Sequence, residues 1–104
     1  MARYGTLLTP LADGAEASFT MSASREDNVI GLVKASRAGQ VFIDQSSDGT
    51  NWDYRTTLTL VADVGQGFSV PIYGTSVKIT VKNDAGAAQT YLRLSAKFGS
   101  AGDS

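Results

Sequence analysis

The chain of 104 residues contains no cysteine and no histidine. Without cysteine there is no disulfide, no thiolate nucleophile and no cysteine-based zinc site. Without histidine the sequence lacks the most common general base and the most common ligand of transition metals. Both absences argue against an enzyme, so we expect no catalytic residue, no cofactor and no metal site.

Charged residues are also scarce, at 18%, and they are nearly balanced, with 9 Lys and Arg against 10 Asp and Glu. No basic run is present, so the electrostatic basis for binding a phosphate backbone is missing. The apolar stretches are too short for a membrane span, and the first ten residues do not resemble a signal peptide. We expect no nucleic-acid partner, no membrane contact, and synthesis in the cytoplasm.

What the sequence does contain is a period of two. From Ser18 onward, short segments alternate apolar and polar residues between turns rich in Gly, Asn and Asp. The clearest segment is 76–82, and the segment Val29–Ala35 is more continuously apolar, as expected of a central strand. About eight such strands predict an all-β fold, a two-sheet antiparallel β-sandwich of the jelly-roll type. Alternation alone is also compatible with a closed barrel.

The chain divides into three predicted regions. Residues 1–16 have no clean period, which is typical either of a first edge strand or of an N-terminal arm that lies on a neighbouring molecule. Residues 17–98 form the predicted β-sandwich domain. Residues 99–104 are small and polar, and we interpret them as a flexible tail.

Three carboxylates, Asp44, Asp48 and Asp53, fall in one predicted hairpin. Asp48 and Gly49 are typical turn residues, and we expect the other two carboxylates on a solvated strand face. Paired carboxylates can hydrolyse glycosides or bind calcium, but no calcium-loop motif is present and nothing in the sequence indicates a raised pKa. We therefore interpret all three as structural.

Aromatic residues give the best functional signal of the sequence. Alternation predicts that Trp52 and Tyr54 share one face, and with Tyr73 and Tyr91 they could form a platform for sugar rings or a protein interface. The simpler interpretation, which we favour for Trp52 and for Phe68, is packing over the core.

Phe42 differs from the other aromatic residues, because the alternation places its neighbours Val41 and Ile43 inside the fold. An outward-pointing Phe in a strand suggests contact with another subunit, although single exposed apolar residues are common. The predicted interface residues are Tyr4, Leu7, Leu8, Phe42, Trp52 and Tyr54.

Two segments carry a resemblance to a known class of proteins. The hairpin 41–53 contains the pattern Ser-x-Asp-Gly-x-x-Trp, and residues 76–94 give a strand, an Asn-Asp turn, Ala-Gln-Thr and a second strand. Together they resemble the small jelly-roll domains of tailed-phage structural proteins. The same hairpin pattern also occurs in discoidin-like jelly rolls, which are longer and usually have Arg where Lys78 stands here.

The phage resemblance implies a structural protein of the virion, and its size suits a capsid decoration (cement) protein. Such proteins bind the outside of the phage shell, often as homotrimers, so the implied partners are the major capsid protein and further copies of the chain. A neck, tail or fibre component is a close variant. The alternative from another class is a carbohydrate-binding or host-attachment β-sandwich module, which requires two exposed aromatic residues beside a polar groove.

Overall fold

The computed structural model describes residues 4–22 and 28–99, and eight β-strands lie within them. The strands are β1 (Tyr4–Leu7), β2 (Glu16–Ser22), β3 (Asn28–Ala35), β4 (Gly39–Ser46), β5 (Trp52–Leu60), β6 (Gln66–Pro71), β7 (Ser76–Asn83) and β8 (Leu92–Gly99). The last strand begins at Leu92, after the Ala-Gln-Thr segment. The predicted N-terminal arm and tail lie partly outside the described residues, at 1–3 and 100–104.

The strands form two antiparallel four-stranded sheets, one in the order β1-β8-β3-β6 and the other in the order β2-β7-β4-β5. We call them the first and the second sheet. Strands that follow one another in sequence lie in different sheets, except for β4 and β5, which form a hairpin in the second sheet. This order is that of a jelly roll, so the predicted two-sheet sandwich is confirmed and the closed barrel is excluded.

The period of two in the sequence is realised as inward and outward faces. In β7, Val77, Ile79 and Val81 are fully buried, whereas Lys78 and Lys82 point to the outside. In β8 the buried positions alternate in the same way with exposed Arg93, Ser95 and Lys97. The buried apolar core between the sheets consists of Leu11, Met21, Val29, Val33, Ala35, Val41, Ile43, Leu60, Val70, Val77, Ile79, Val81, Leu92, Leu94, Ala96 and Phe98.

A row of small residues crosses the inner face of the first sheet. Gly5 pairs with Ala96, Ala96 pairs with Gly31, and Gly31 pairs with Phe68. The ring of Phe68 lies over Gly31, and the ring of Phe19 from the opposite sheet lies over Gly5, so a Cβ at either glycine would collide with a ring. Phe68 packs against the core as predicted. Small residues therefore make the space that two aromatic rings occupy.

One end of the sandwich is closed by two buried amide side chains. The Asn83 Nδ2 donates to the carbonyls of Leu11, Ala12 and Ala87 at 3.2, 3.1 and 2.7 Å. The Gln89 Oε1 accepts from the Leu11 amide at 2.9 Å. Residues 8–15 are thus bonded to the loop between β7 and β8, and β1, which precedes them, is an edge strand paired with β8.

Candidate binding sites

The six predicted interface residues lie at different places in the fold. Leu7 points inward and packs against the core, while Leu8 is 64% exposed beside the outer face of the first sheet. Phe42 and Trp52 are on the outer face of the second sheet, and Tyr54 is at one end of the sandwich. Tyr4 begins β1 opposite Lys97, and its side chain lies outside the described residues.

The outer face of the second sheet carries an interlocked set of charged and aromatic side chains. Asp44 is only 2% exposed and accepts two hydrogen bonds from Arg55, at 2.7 Å from Nε and 3.1 Å from Nη2. The Arg55 guanidinium lies 4.2 Å from the centre of the Phe42 ring, and the Lys78 Nζ lies 4.7 Å from the centre of the Trp52 ring. Phe42 points outward as predicted, but its exposed side is covered by Arg55.

The structure corrects two predictions for this face. Asp44 is not on a solvated surface, because Arg55 covers it and satisfies both carboxylate oxygens. Trp52 does not share a face with Tyr54 and does not pack over the core. A β-bulge shifts the register between Gln45 and Ser46, so the extra residue Asp53 turns Trp52 to the outer face.

Asp48 organises the turn between β4 and β5, as predicted. Its carboxylate accepts hydrogen bonds from the amides of Asn51 and Thr50, from the Asn51 side chain and from the Ser46 hydroxyl. These bonds, led by that from the Asn51 amide, hold the pKa of the Asp48 carboxyl well below its usual range. Both carboxylate oxygens of Asp48 are therefore engaged in holding the turn.

The outer face of the first sheet is apolar at its centre. Leu32 is 59% exposed in the middle of β3, and Ile30 and Leu8 lie on the same face. Two adjoining depressions of about 370 and 280 Å³ share Leu32 and Ser95 in their walls. We call this surface the apolar groove and define it by Leu8, Ile30, Leu32 and Ser95.

Charge around the apolar groove has one sign. Lys34 and Arg93 line one depression, and Lys97 lines the other. Within the described part of the chain, no acidic side chain lines either depression. The groove therefore combines an apolar floor with a rim of cations, which suits a partner surface that is apolar at its centre and acidic at its border.

A second concave site lies at the end of the sandwich where β6 gives way to β7. Tyr54 and Tyr73, 47% and 73% exposed, contact each other with ring centres 5.5 Å apart and planes at 86°. They line a cavity of about 130 Å³ together with Gln45, Ser46, Ser47, Asp53 and Gly74. We call these seven residues the tyrosine cleft.

Only part of the predicted aromatic platform is therefore formed. Tyr54 and Tyr73 come together, but Trp52 is on the outer face of the second sheet. Tyr91 is held by a hydrogen bond from its hydroxyl to Asp63, at 2.5 Å. Ile30 and Leu32, which form the floor of the apolar groove, were not among the predicted interface residues, although the unbroken apolar run of β3 was a signal for them.

No group of three or more acidic side chains able to hold a metal ion occurs among residues 4–22 and 28–99. In the same ranges, no helix has the length and hydropathy needed to cross a membrane. The apolar groove and the tyrosine cleft are surfaces suited to contact with a partner molecule.

Comparison with known proteins supports this architecture. Residues 5–99 match the family described as uncharacterised protein YqxG N-terminal domain. No curated protein sequence matches the chain. Among solved structures, the fold is similar to that of the PBSX exported protein XepA, with a TM-score of 0.82 at 17% identity. The match covers 93% of this chain and 37% of XepA, so the chain spans little more than a third of that protein.

A structure described as "CBM4 structure and function" matches less closely, with a TM-score of 0.48 at 18% identity over 89% of this chain and 67% of that one. The likeness to XepA shows a shared β-sandwich fold, and the family match covers nearly all of the described residues.

Proposed function

The chain belongs to the family of YqxG N-terminal domains, and we propose that it is a non-catalytic structural domain of a phage particle that docks on another protein through the apolar groove. In its most specific form the proposal is a capsid decoration protein. It would bind the major capsid protein on the outer surface of the shell, together with further copies of itself as a homotrimer.

The observation that carries the proposal is the two-sided apolar character of β3. Its inward residues Val29 and Val33 are fully buried in the core, as a strand in a sandwich requires. Its outward residues Ile30 and Leu32 are apolar as well, a pattern typical of strands covered on both faces. Within residues 4–22 and 28–99 nothing covers the outer face at Leu32, which is 59% exposed. A partner that covers this face would complete the burial.

The cation rim indicates the chemistry of that partner. Lys34, Arg93 and Lys97 surround the apolar floor, so a docking surface with carboxylates at its border gains attraction at the rim and burial at the centre. On a shell that repeats the same surface many times, an oligomer multiplies modest contacts at each site. The sequence resemblance to tailed-phage jelly rolls supports a location on the particle, and the description of XepA as an exported protein of PBSX supports a phage-related location that is either extracellular or on the virion.

Co-sedimentation with shells tests the proposal. The domain is mixed with shells purified from the phage or prophage whose genome carries this chain, and the bound fraction is compared with that of Leu32→Asp. We expect the unaltered domain to sediment with shells and Leu32→Asp to bind about tenfold more weakly or worse, because the substitution removes the central apolar contact and places a charge in the part of the interface that binding would bury.

Ser18→Asp is the matched control, because Ser18 is an exposed outward residue on the opposite sheet. It introduces the same charge and should leave binding unchanged. Light scattering on the free domain measures its mass, and we expect the mass of a trimer. The docking proposal is wrong if the unaltered domain stays in the supernatant. It is also wrong if Leu32→Asp binds the shells as well as the unaltered domain does.

A second function is favoured by the tyrosine cleft. Two exposed aromatic side chains beside a cavity with polar neighbours, Asp53 among them, correspond to what a carbohydrate-binding or host-attachment module requires. The two functions use different surfaces and are compatible with one another, because a particle protein can face the shell with one surface and the cell with another.

A further inference from the structure

The tyrosine cleft is held in place by the strand beneath it. The buried Gln45 side chain accepts from the Tyr73 and Gly74 amides at 2.6 and 3.1 Å, and it donates to the Pro71 carbonyl at 2.8 Å. The Thr75 amide donates to the Ser46 carbonyl at 2.8 Å. The loop that carries Tyr73 is thus bonded to β4 on both sides of the tyrosine.

Close packing adds to these hydrogen bonds. Gly74 lies so near the Ser46 carbonyl oxygen that a Cβ there would collide with it. The loop consequently approaches β4 as closely as the backbone permits, and Tyr73 is presented at a fixed position. The ring is nonetheless 73% exposed, and it contacts Tyr54 edge to face. A large exposed ring on an anchored loop is preorganised for a ligand, because little conformational freedom remains to be lost on binding.

The polar part of the cleft has a definite chemical character. Asp53, the exposed extra residue of the bulge, lines the cavity with Ser46 and Ser47. No cationic side chain lines it in the described part of the chain. An acidic ligand would therefore meet an unopposed carboxylate, whereas a neutral ligand rich in hydroxyl groups can donate to Asp53.

The size and shape of the cleft further restrict the kind of ligand that it can bind. Its volume of about 130 Å³ is below the roughly 300 Å³ at which pockets for drug-sized ligands begin, so it accommodates one ring or the end of a chain. The tyrosine rings touch each other, which leaves no space between them for a cation to be enclosed by both faces. A ligand must instead lie on the open side of the Tyr73 ring.

We propose that the tyrosine cleft binds the terminal residue of an uncharged sugar chain, with an apolar face of the sugar stacked on Tyr73 and its hydroxyl groups donating to Asp53. Tyr54 supports the Tyr73 ring from the side. Gln45 is a positioning residue that acts through the loop. This inference rests on the carbohydrate-binding function proposed above and is independent of docking through the apolar groove.

The test is binding of the full chain to immobilised glycans, followed by saturation-transfer NMR with the methyl glycosides of glucose, galactose, mannose and N-acetylglucosamine. We expect binding to one or more neutral sugars and none to sialylated or sulfated glycans. Tyr73→Ala should weaken binding about tenfold, while Tyr73→Phe should retain it, because the ring provides the stacking surface. Asp53→Asn should weaken binding by a smaller factor.

One further variant and a folding measurement keep the outcomes separate. Leu32→Asp, in the apolar groove, should bind sugars as the unaltered chain does, and thermal unfolding shows whether each variant is folded. If the unaltered chain binds no glycan, the carbohydrate function and the cleft proposal both fail. If it binds glycans and folded Tyr73→Ala binds equally well, the function stands and the site is elsewhere. Binding of a proline-rich peptide in place of sugars would also overturn the proposal, since aromatic grooves recognise such peptides too.

Discussion

Asn83 shows how much a single buried polar side chain can contribute in this fold. It is fully buried, and its amide nitrogen donates to three backbone carbonyls from two separate loops. Its own carbonyl oxygen accepts from the Ala85 amide at 3.3 Å. An alanine at this position removes all four of these hydrogen bonds. The Leu11 and Ala12 carbonyls still accept from the Gln89 and Ala15 amides, but the Ala87 carbonyl and the Ala85 amide lose Asn83 as their partner, and polar groups left unpaired in a buried place are costly.

We therefore expect Asn83→Ala to lower the free energy of unfolding by about 3 kcal/mol, measured by urea denaturation. Asn51→Ala is the control, because Asn51 is exposed and its side chain bonds only to Asp48 in the described contacts. It should cost less than about 1 kcal/mol. Equal losses for the two variants would contradict the role that we assign to burial.

At the scale of the strand, β3 is constrained on both faces. On its inner side Gly31 leaves the space that the Phe68 ring occupies. We expect Gly31→Ala to destabilise the protein by about 1–3 kcal/mol, because the added methyl group must displace the ring or the backbone. Urea denaturation measures the loss, and combining the change with Phe68→Leu should recover part of it.

Gly65→Ala is the matched control for this strand. Apart from its chain neighbours, no heavy atom of the described residues lies within 4 Å of the position where its Cβ would be, so the methyl group meets open space. We expect stability to be unchanged or slightly higher, since alanine restricts the unfolded chain. A loss at Gly65 as large as that at Gly31 would show that glycine is required for a reason other than space.

Strands and their inward faces could be predicted from the sequence because they follow from a local period. Val77, Ile79 and Val81 illustrate this, since alternation alone identifies their side of the strand. Trp52 could not be placed in this way, because the extra residue Asp53 in β5 shifts the alternation, so that Trp52 lies on the opposite face from Tyr54. Turn composition does not reveal such an insertion.

The binding sites were less predictable, since they depend on contacts between distant residues. Asp44 is covered by Arg55, which lies 11 residues later in the sequence and opposite Asp44 in the β4–β5 hairpin. Tyr54 and Tyr73 meet because β5 ends one sheet and the loop after β6 returns from the other, a consequence of strand order that local pattern does not contain. Leu32 was visible as part of an apolar run, but the run was interpreted only as a central strand.

At the scale of the whole molecule, the strand order governs how the chain folds. β1 pairs with β8, and β2 pairs with β7, so the first two strands of the chain can form their ladders only after the last two strands have come into place. Folds dominated by such distant pairings form slowly, in milliseconds to seconds, because long loops must close before the contacts that stabilise them exist.

Stopped-flow refolding from urea, followed by the fluorescence of Trp52, the one tryptophan of the chain, tests this expectation. The main phase should fall in the range of about milliseconds to seconds. Because Trp52 belongs to the locally closed β4–β5 hairpin, a faster early change in its signal is compatible with this scheme. Complete recovery of native fluorescence within microseconds would contradict this expectation.

The pairing of β1 with β8 also determines how the domain responds to a pulling force. Tyr4 lies opposite Lys97 at one end of the sandwich, and Leu7 lies opposite Leu94 further in. Tension applied through residues 4 and 99 acts at the same end of this antiparallel pair, so it opens the register pairs one after another instead of shearing all of them together. Peeling β1 away would remove Gly5 from beneath the Phe19 ring and expose the core. Under tension through residues 4 and 99, the β1–β8 pair would therefore resist with one register pair at a time.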